Sequence, residues 1–109
     1  MDMKIIRTGA CSNSPKNKFV EDFTKALLES DRGFIEEFSG ENFEFPSGFL
    51  STEKECTIEF IFAISHGKFG SLLCRVEEGD KIYHLSFSYL FSNIKASKMQ
   101  KVFITKSFT

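Results

Sequence analysis

The stretch "TIEFIFAISHGKFGSLLCRVE" (57–77) decides the fold, because it holds two alternating apolar segments joined by a glycine-containing turn. Its first half, 57–65, alternates apolar and polar residues, which predicts a half-buried β-strand. Its second half, 69–77, alternates in the same way, and "HGK" (66–68) between them is typical of a hairpin. The side chains predicted to share the inner face of the first strand are Ile58, Phe60, Phe62 and Ile64.

The residues that follow extend this hairpin into a meander. A tight-turn signal, "EGD" (78–80), precedes a third alternating segment, "KIYHLSFSYLFS" (81–92). A polar loop then leads to "KMQKVFITKSF" (98–108). Before the hairpin, "NFEFP" (42–46) alternates and stops at a proline, so it is predicted to be the first strand. The sequence therefore predicts an antiparallel sheet.

Two amphipathic helices are predicted before the sheet. Ser14 followed by Pro15 is a helix start, since the serine caps free N–H groups and proline already has a helical φ. The first helix should end near Glu29, and Asp31 should cap a short second helix. Short amphipathic helices need a sheet to cover their apolar faces, so the chain is predicted to be one α+β domain, 1–109. The inward residues are Phe19, Phe23, Leu27, Phe34 and Phe38 on the helices, and Phe60, Phe62, Phe87 and Phe91 on the strands.

The composition limits the function. With 109 residues, 41% hydrophobic and 27% charged, the chain is typical of a globular domain, and its 14 phenylalanines favour a thick core, an aromatic cavity or an apolar interface. A net charge of −1 gives no reason to expect nucleic acid or a membrane as a partner. Cys11, Cys56 and Cys74 lack metal-ligand spacing, and the N-terminus lacks a secretory signal, so we expect reduced thiols, a cytoplasmic location, and neither metal nor cofactor.

Four stretches of the chain carry a family resemblance: "CSNSPKNKFVEDF" (11–23), "ISHGKFG" (64–70), "YHLSFSYLFS" (83–92) and "KMQKVFITKSF" (98–108). On these stretches the chain resembles small bacterial members of the nuclear transport factor 2-like superfamily. The resemblance implies a cone: two N-terminal helices packed on the concave side of a strongly curved antiparallel sheet. It also implies a conical pocket and pairing of two copies through their sheets. That family usually has a longer insert than the segment 47–56 found in this chain.

The residues favour binding over catalysis. Enzymes of the resembled fold use a buried carboxylate opposite a polarising donor, and the four aspartates here fall on predicted surfaces or turns. We therefore expect a non-catalytic small-molecule-binding or interaction domain. Its apolar ligand would contact Phe23, Phe60, Phe62, Phe87 and Tyr89.

Two alternatives remain open. One is a small isomerase, dehydratase or cyclase that acts on an apolar substrate in the cone pocket, with His66 or Glu59 as its base; Cys11, just before the helix start, is a weaker chemical candidate. The other is a protein-binding adaptor that uses the exposed sheet. A homodimer is predicted through a face low in charge, formed by Ser71, Leu73, His84, Ser86, Ser88, Phe103 and Thr105.

Overall fold

The computed structural model describes residues 3–8, 14–46, 48, 55–93 and 97–108. In chain order the elements are β1 (Met3–Ile6), α1 (Pro15–Glu29), α2 (Arg32–Phe38), β2 (Cys56–His66), β3 (Phe69–Glu78), β4 (Lys81–Phe91) and β5 (Met99–Phe108). The predicted α+β class is confirmed, with two helices and a five-stranded sheet.

The helix starts follow the predicted capping. The Ser14 side chain accepts a hydrogen bond from the Asn17 backbone N–H at 3.3 Å, and Pro15 occupies the first helical position. Asp31 caps α2 by accepting from the Phe34 N–H at 3.2 Å. Between the helices the chain turns through Ser30, which adopts a left-handed conformation with φ 56°. Neither helix of the described chain has the length and apolar character needed to cross a bilayer.

The sheet is mixed, with strand order β1-β2-β3-β4-β5. The last four strands are sequential antiparallel neighbours, as predicted. The expectation of a wholly antiparallel sheet is wrong, because β1 pairs with β2 in parallel. The reason is topological: α1 and α2 lie between β1 and β2 in the chain, and a helical crossover returns the next strand in the same direction.

The segment predicted as the first strand, 42–46, is not a strand. Before it, Ser39 forms an isolated bridge to Met99, and the Gly40 N–H donates to the Met99 carbonyl at 2.7 Å. The aromatic side chains at 43 and 45 pack against the core instead of joining a ladder. Apolar alternation here serves packing on the helices, where the Phe43 ring lies 5.5 Å from that of Phe23.

A β-bulge in β2 reverses the face of its second half. Phe60 pairs with Cys74, but Phe62 pairs with Leu73, so Ile61 is an extra residue on β2. One inserted residue turns every following side chain to the opposite face. Phe62 is consequently 42% exposed, and its predicted inward placement is wrong.

The core lies between the helices and one face of the sheet, which we call the inner face. Val20, Phe23 and Leu27 of α1 are buried against it. Gly70 permits this approach: a Cβ there would lie 2.8 Å from Val20 Cγ2 and 2.9 Å from Phe91 Cζ. The strand residues buried on the inner face are Ile58, Phe60, Leu72, Cys74, Val76, Tyr83, Leu85, Phe87, Tyr89, Phe91 and Met99.

Ion pairs join the segment after β1 to α1. Arg7 Nε donates to Glu21 Oε1 at 2.9 Å, and the Arg7 guanidinium also lies 2.7 Å from Asp22 Oδ1. Thr8 Oγ1 donates to the second Glu21 oxygen at 2.5 Å. Glu21 is almost fully buried, so these donors compensate its desolvation. Hydrogen bonds from Lys18 and Arg7 hold the pKa of Asp22 below its ordinary value against the opposing effect of burial.

Candidate functional site

Four of the five residues predicted to bind an apolar ligand lie inside the core. Phe23, Phe60, Phe87 and Tyr89 are each at most 2% exposed. The Tyr89 ring packs edge-on to Phe23, with centroids 5.9 Å apart, and stacks on Phe87 at 6.3 Å. These rings therefore pack on one another within the core. Phe62 lies on the opposite, outer face.

The Tyr89 hydroxyl, the expected polar group of the pocket, is already bonded within the core. It lies 2.6 Å from Thr24 Oγ1. Thr24 donates its own proton to the Val20 carbonyl at 2.7 Å, so the tyrosine is the donor in the pair. Burial raises the pKa of Tyr89, which keeps the hydroxyl protonated. Among the described residues, every buried side-chain nitrogen or oxygen has a hydrogen-bond partner.

The thiols of Cys56 and Cys74 and the phenol of Tyr83 have raised pKa values, which makes them poor nucleophiles near neutral pH. Burial raises the pKa of the Cys74 thiol to about 12, and burial together with Glu78 raises that of Cys56. Burial and the neighbouring Glu78 also raise the pKa of Tyr83 to about 12. A thiol attacks as its thiolate, so neither of these cysteines has an activated form near neutral pH. Cys11 lies outside the described residues.

The two candidate bases are separated on the outer face of the sheet. His66 is exposed at the end of β2, where it pairs with Phe69. Glu59 is exposed further back along β2 and pairs with Arg75. Within the described chain, no group of three or more His, Cys, Asp or Glu side chains is placed to hold a metal ion.

The outer face carries a band of apolar and small polar side chains. The register aligns three of its rows across the strands: His66–Phe69–Leu90–Lys101, Ile64–Ser71–Ser88–Phe103 and Phe62–Leu73–Ser86–Thr105. Ile64, Phe69 and Phe103 are 57%, 65% and 61% exposed. All seven residues predicted for the dimer contact lie on this face, since each alternates with a neighbour on the inner face.

A groove of about 320 Å³ opens at the hairpin end of this band. We call it the outer-face groove, and its walls are Ile64, Ser65, His66, Phe69, Gly70, Ser71, Ser88 and Tyr89. The hairpin beneath it is fixed to α1: Ser65 Oγ donates to Asn17 Oδ1 at 2.6 Å, and Lys16 Nζ donates to the Gly67 carbonyl at 3.1 Å. A second depression, of about 470 Å³, lies beside β1, and its walls include Lys4, Glu55 and Glu77.

The sequence did not reveal the outer-face groove, because its walls come from three strands and depend on the register between them. Ile64 reaches the outer face only through the bulge. One signal was present: the consecutive apolar residues "FIF" (60–62) interrupt the strict alternation of β2.

The outer face is thus an exposed, apolar surface that carries the outer-face groove, whereas four of the five residues predicted to bind a ligand are buried in the core. Comparison with known proteins adds no functional assignment: this chain matches no family model, no curated protein and no solved structure.

Proposed function

We propose that this protein is a non-catalytic interaction domain that forms a homodimer through the outer face of its sheet. The observation that carries the proposal is the uncharged central band of that face. Its two central rows contain Ile64, Ser71, Ser88 and Phe103, and Phe62, Leu73, Ser86 and Thr105. The centre of a protein interface is depleted of charged residues, whereas a solvated sheet in a chain with 27% charged residues is expected to carry them.

The size of the face is appropriate for such an interface. Strands of ten or eleven residues at ordinary spacing give β2–β5 an outer face of roughly 33 by 19 Å, or about 600 Å² in projection. Stable interfaces bury about 800 Å² of accessible surface on each partner. Side-chain relief makes accessible area larger than projected area, so the face is of the size that a dimer requires.

The likeness to the nuclear transport factor 2-like superfamily is part of this proposal. Two helices on one face of a sheet, with the other face exposed, support the likeness, and the likeness in turn implies that two copies pair through their sheets. In the proposed protein the strongly curved, cone-shaped sheet presents its convex side to the second copy.

Sedimentation velocity between low and high micromolar concentration tests the dimer. We expect the wild type to be dimeric, and Ser88→Glu to be monomeric because it places two charges at the centre of the interface. Ser97→Glu, the same change at an exposed serine in the β4–β5 loop, is the control and should remain dimeric. A strictly monomeric wild type at high micromolar concentration would contradict the proposal.

A second candidate function is an isomerase, dehydratase or cyclase acting on an apolar substrate in the outer-face groove. The observation that favours it is His66, which lines the groove together with Ser71 and Ser88. The groove falls at the lower end of the ~300–1,000 Å³ range of ligand sites. A panel of apolar ketones and enols, assayed with His66→Ala and Glu59→Gln, tests it and distinguishes the two bases. Absence of turnover by the wild type would count against this candidate.

A further inference from the structure

We propose that the outer-face groove is a socket for Phe103 of a second copy, and that the two copies fill each other's grooves reciprocally. This inference rests on the proposed homodimer and specifies its contacts. It concerns a ring that the described part of the chain leaves largely uncovered: Phe103 is 61% exposed, although it lies in the middle of a ten-residue strand.

The alignment of the strands places the ring over the groove. Ser71 on β3, Ser88 on β4 and Phe103 on β5 lie in one row, so Ser71 and Phe103 are each one strand away from Ser88. A two-fold axis lying in the interface and following β4 exchanges the positions of β3 and β5. That axis therefore brings Phe103 of each copy over Ser71 of the other, and Ser71 and Ser88 both belong to the groove wall.

The volume of the outer-face groove is compatible with that of a phenyl ring. A cavity of about 150 Å³ is large enough to hold a benzene ring in a protein interior. The groove, at about 320 Å³, accommodates one phenyl side chain with room for its backbone approach. Its apolar walls, Ile64 and Phe69, would be covered by the incoming ring, which removes exposed apolar surface from both copies.

The neighbouring rows are compatible with the same axis. Ser86 and Ser88 of the two copies would face each other across it, and small side chains there let the sheets approach. In the row nearest the hairpin, Lys101 of one copy would lie over Phe69 of the other, an arrangement that favours a cation–π contact. In the other adjoining row, Thr105 would cover Leu73. None of these three pairings opposes two like charges.

Two alanine variants test the energetic part of the inference. Phe103→Ala should raise the dimer dissociation constant by about tenfold or more, the effect of removing a buried aromatic anchor. Phe62→Ala is the matched control: this ring is on the same face and 42% exposed, but it is on β2, two strands from the proposed axis, at the edge of the interface and directly opposite no strand of the second copy. Its effect should be several-fold smaller. Equal weakening by both substitutions would overturn the inference while leaving the homodimer in place.

Cross-linking tests the geometry without removing Phe103. In a Cys11→Ser background, Leu73→Cys and Thr105→Cys proteins are mixed and treated with a short bis-maleimide, matched to the ~10 Å spacing of packed sheets. We expect covalent dimers in the mixture, whereas Thr105→Cys alone should give few. Ser88→Cys, at the axis, should cross-link with itself. Cys56 and Cys74 are buried and serve as unreactive native thiols.

The outcomes separate the two proposals. Efficient self-cross-linking of Thr105→Cys together with a stable dimer would mean that the faces pair about another axis, so the inference would be wrong and the homodimer right. A monomeric protein whose groove binds an apolar small molecule, detected by chemical-shift changes at Ser71 and Ser88, would overturn both.

Discussion

At the scale of single residues, the hydroxyl pair between Thr24 and Tyr89 links α1 to β4 through the middle of the core. Both side chains are at most 2% exposed, and their oxygens lie 2.6 Å apart. The proton order is fixed, because Thr24 donates to the Val20 carbonyl and so accepts from Tyr89. The two hydroxyls are therefore not equivalent. Without Thr24 the Tyr89 hydroxyl would lose its acceptor, whereas without Tyr89 the Thr24 hydroxyl would still donate to the Val20 carbonyl.

This asymmetry predicts unequal effects of isosteric substitutions. Thr24→Val leaves the Tyr89 hydroxyl buried without an acceptor and should lower the free energy of unfolding by about 1–3 kcal/mol. Tyr89→Phe leaves the threonine proton bonded and should cost about 1 kcal/mol or less. The double variant should be more stable than Thr24→Val alone, since it removes the orphaned hydroxyl. Urea denaturation measures all three, and a Thr24→Val protein no less stable than Tyr89→Phe would refute the assigned proton order.

At the scale of elements, the bulge in β2 determines which aromatic residues form the core and which form the surface. Without the extra residue Ile61, strict alternation would keep Phe60 and Phe62 on one face. With it, Phe60 is 2% exposed and Phe62 is 42% exposed. The bulge also brings Ile64 to the wall of the outer-face groove. A single inserted residue thus adds Phe62 and Ile64 to the outer face and supplies the β2 side of the groove.

Two alanine substitutions in this strand distinguish the two faces. Phe60→Ala should destabilise the protein by about 3–5 kcal/mol, the range for removing a buried phenylalanine. Phe62→Ala should cost about 1 kcal/mol or less, because its ring already contacts water. Thermal and urea unfolding measure both losses, at a protein concentration below the dissociation constant of the proposed dimer. Similar losses for the two variants would show that β2 continues without a bulge.

At the scale of the whole molecule, the core holds a thiol and a phenol, Cys74 and Tyr83, whose pKa values burial raises into the alkaline range. Cys74 is completely buried, and burial raises its pKa from 9.0 to about 12. The native state therefore keeps a proton that the unfolded chain has already lost above pH 9. Because the unfolded state then binds fewer protons, stability falls as pH rises, and the contribution of this thiol is complete only below its unfolded pKa.

We expect the free energy of unfolding to decrease between about pH 9 and pH 12, with a contribution from Cys74 of up to about 1.4 kcal/mol per pH unit. In Cys74→Ala the slope in this range should be smaller, and the residual slope should include Tyr83, whose pKa is raised from 10.0 to about 12. Denaturant titrations under reducing conditions, repeated at several pH values, give both slopes. Identical slopes for wild type and variant would exclude the thiol as the titrating group.

The sequence by itself determined the features that depend on local chemistry. Ser14 with Pro15, and Asp31, predicted where both helices begin, because a cap acts on N–H groups within three residues. The glycine turns at 67 and 79, both with positive φ, and the two-residue period predicted β3 and β4 with their correct faces. The outer placement of Ser71, Ser88 and Phe103 followed from the same period.

Only the tertiary structure decided the features that depend on pairing between distant segments. The parallel strand Met3–Ile6 is too short to show a period, and its partner lies beyond both helices. The bulge at Ile61 exists only relative to the register of β3. The filled core and the outer-face groove require several strands to be aligned at once, so alternation within one strand does not predict them. Local periodicity assigns a side chain to a face, but the register between strands decides which side chains meet there.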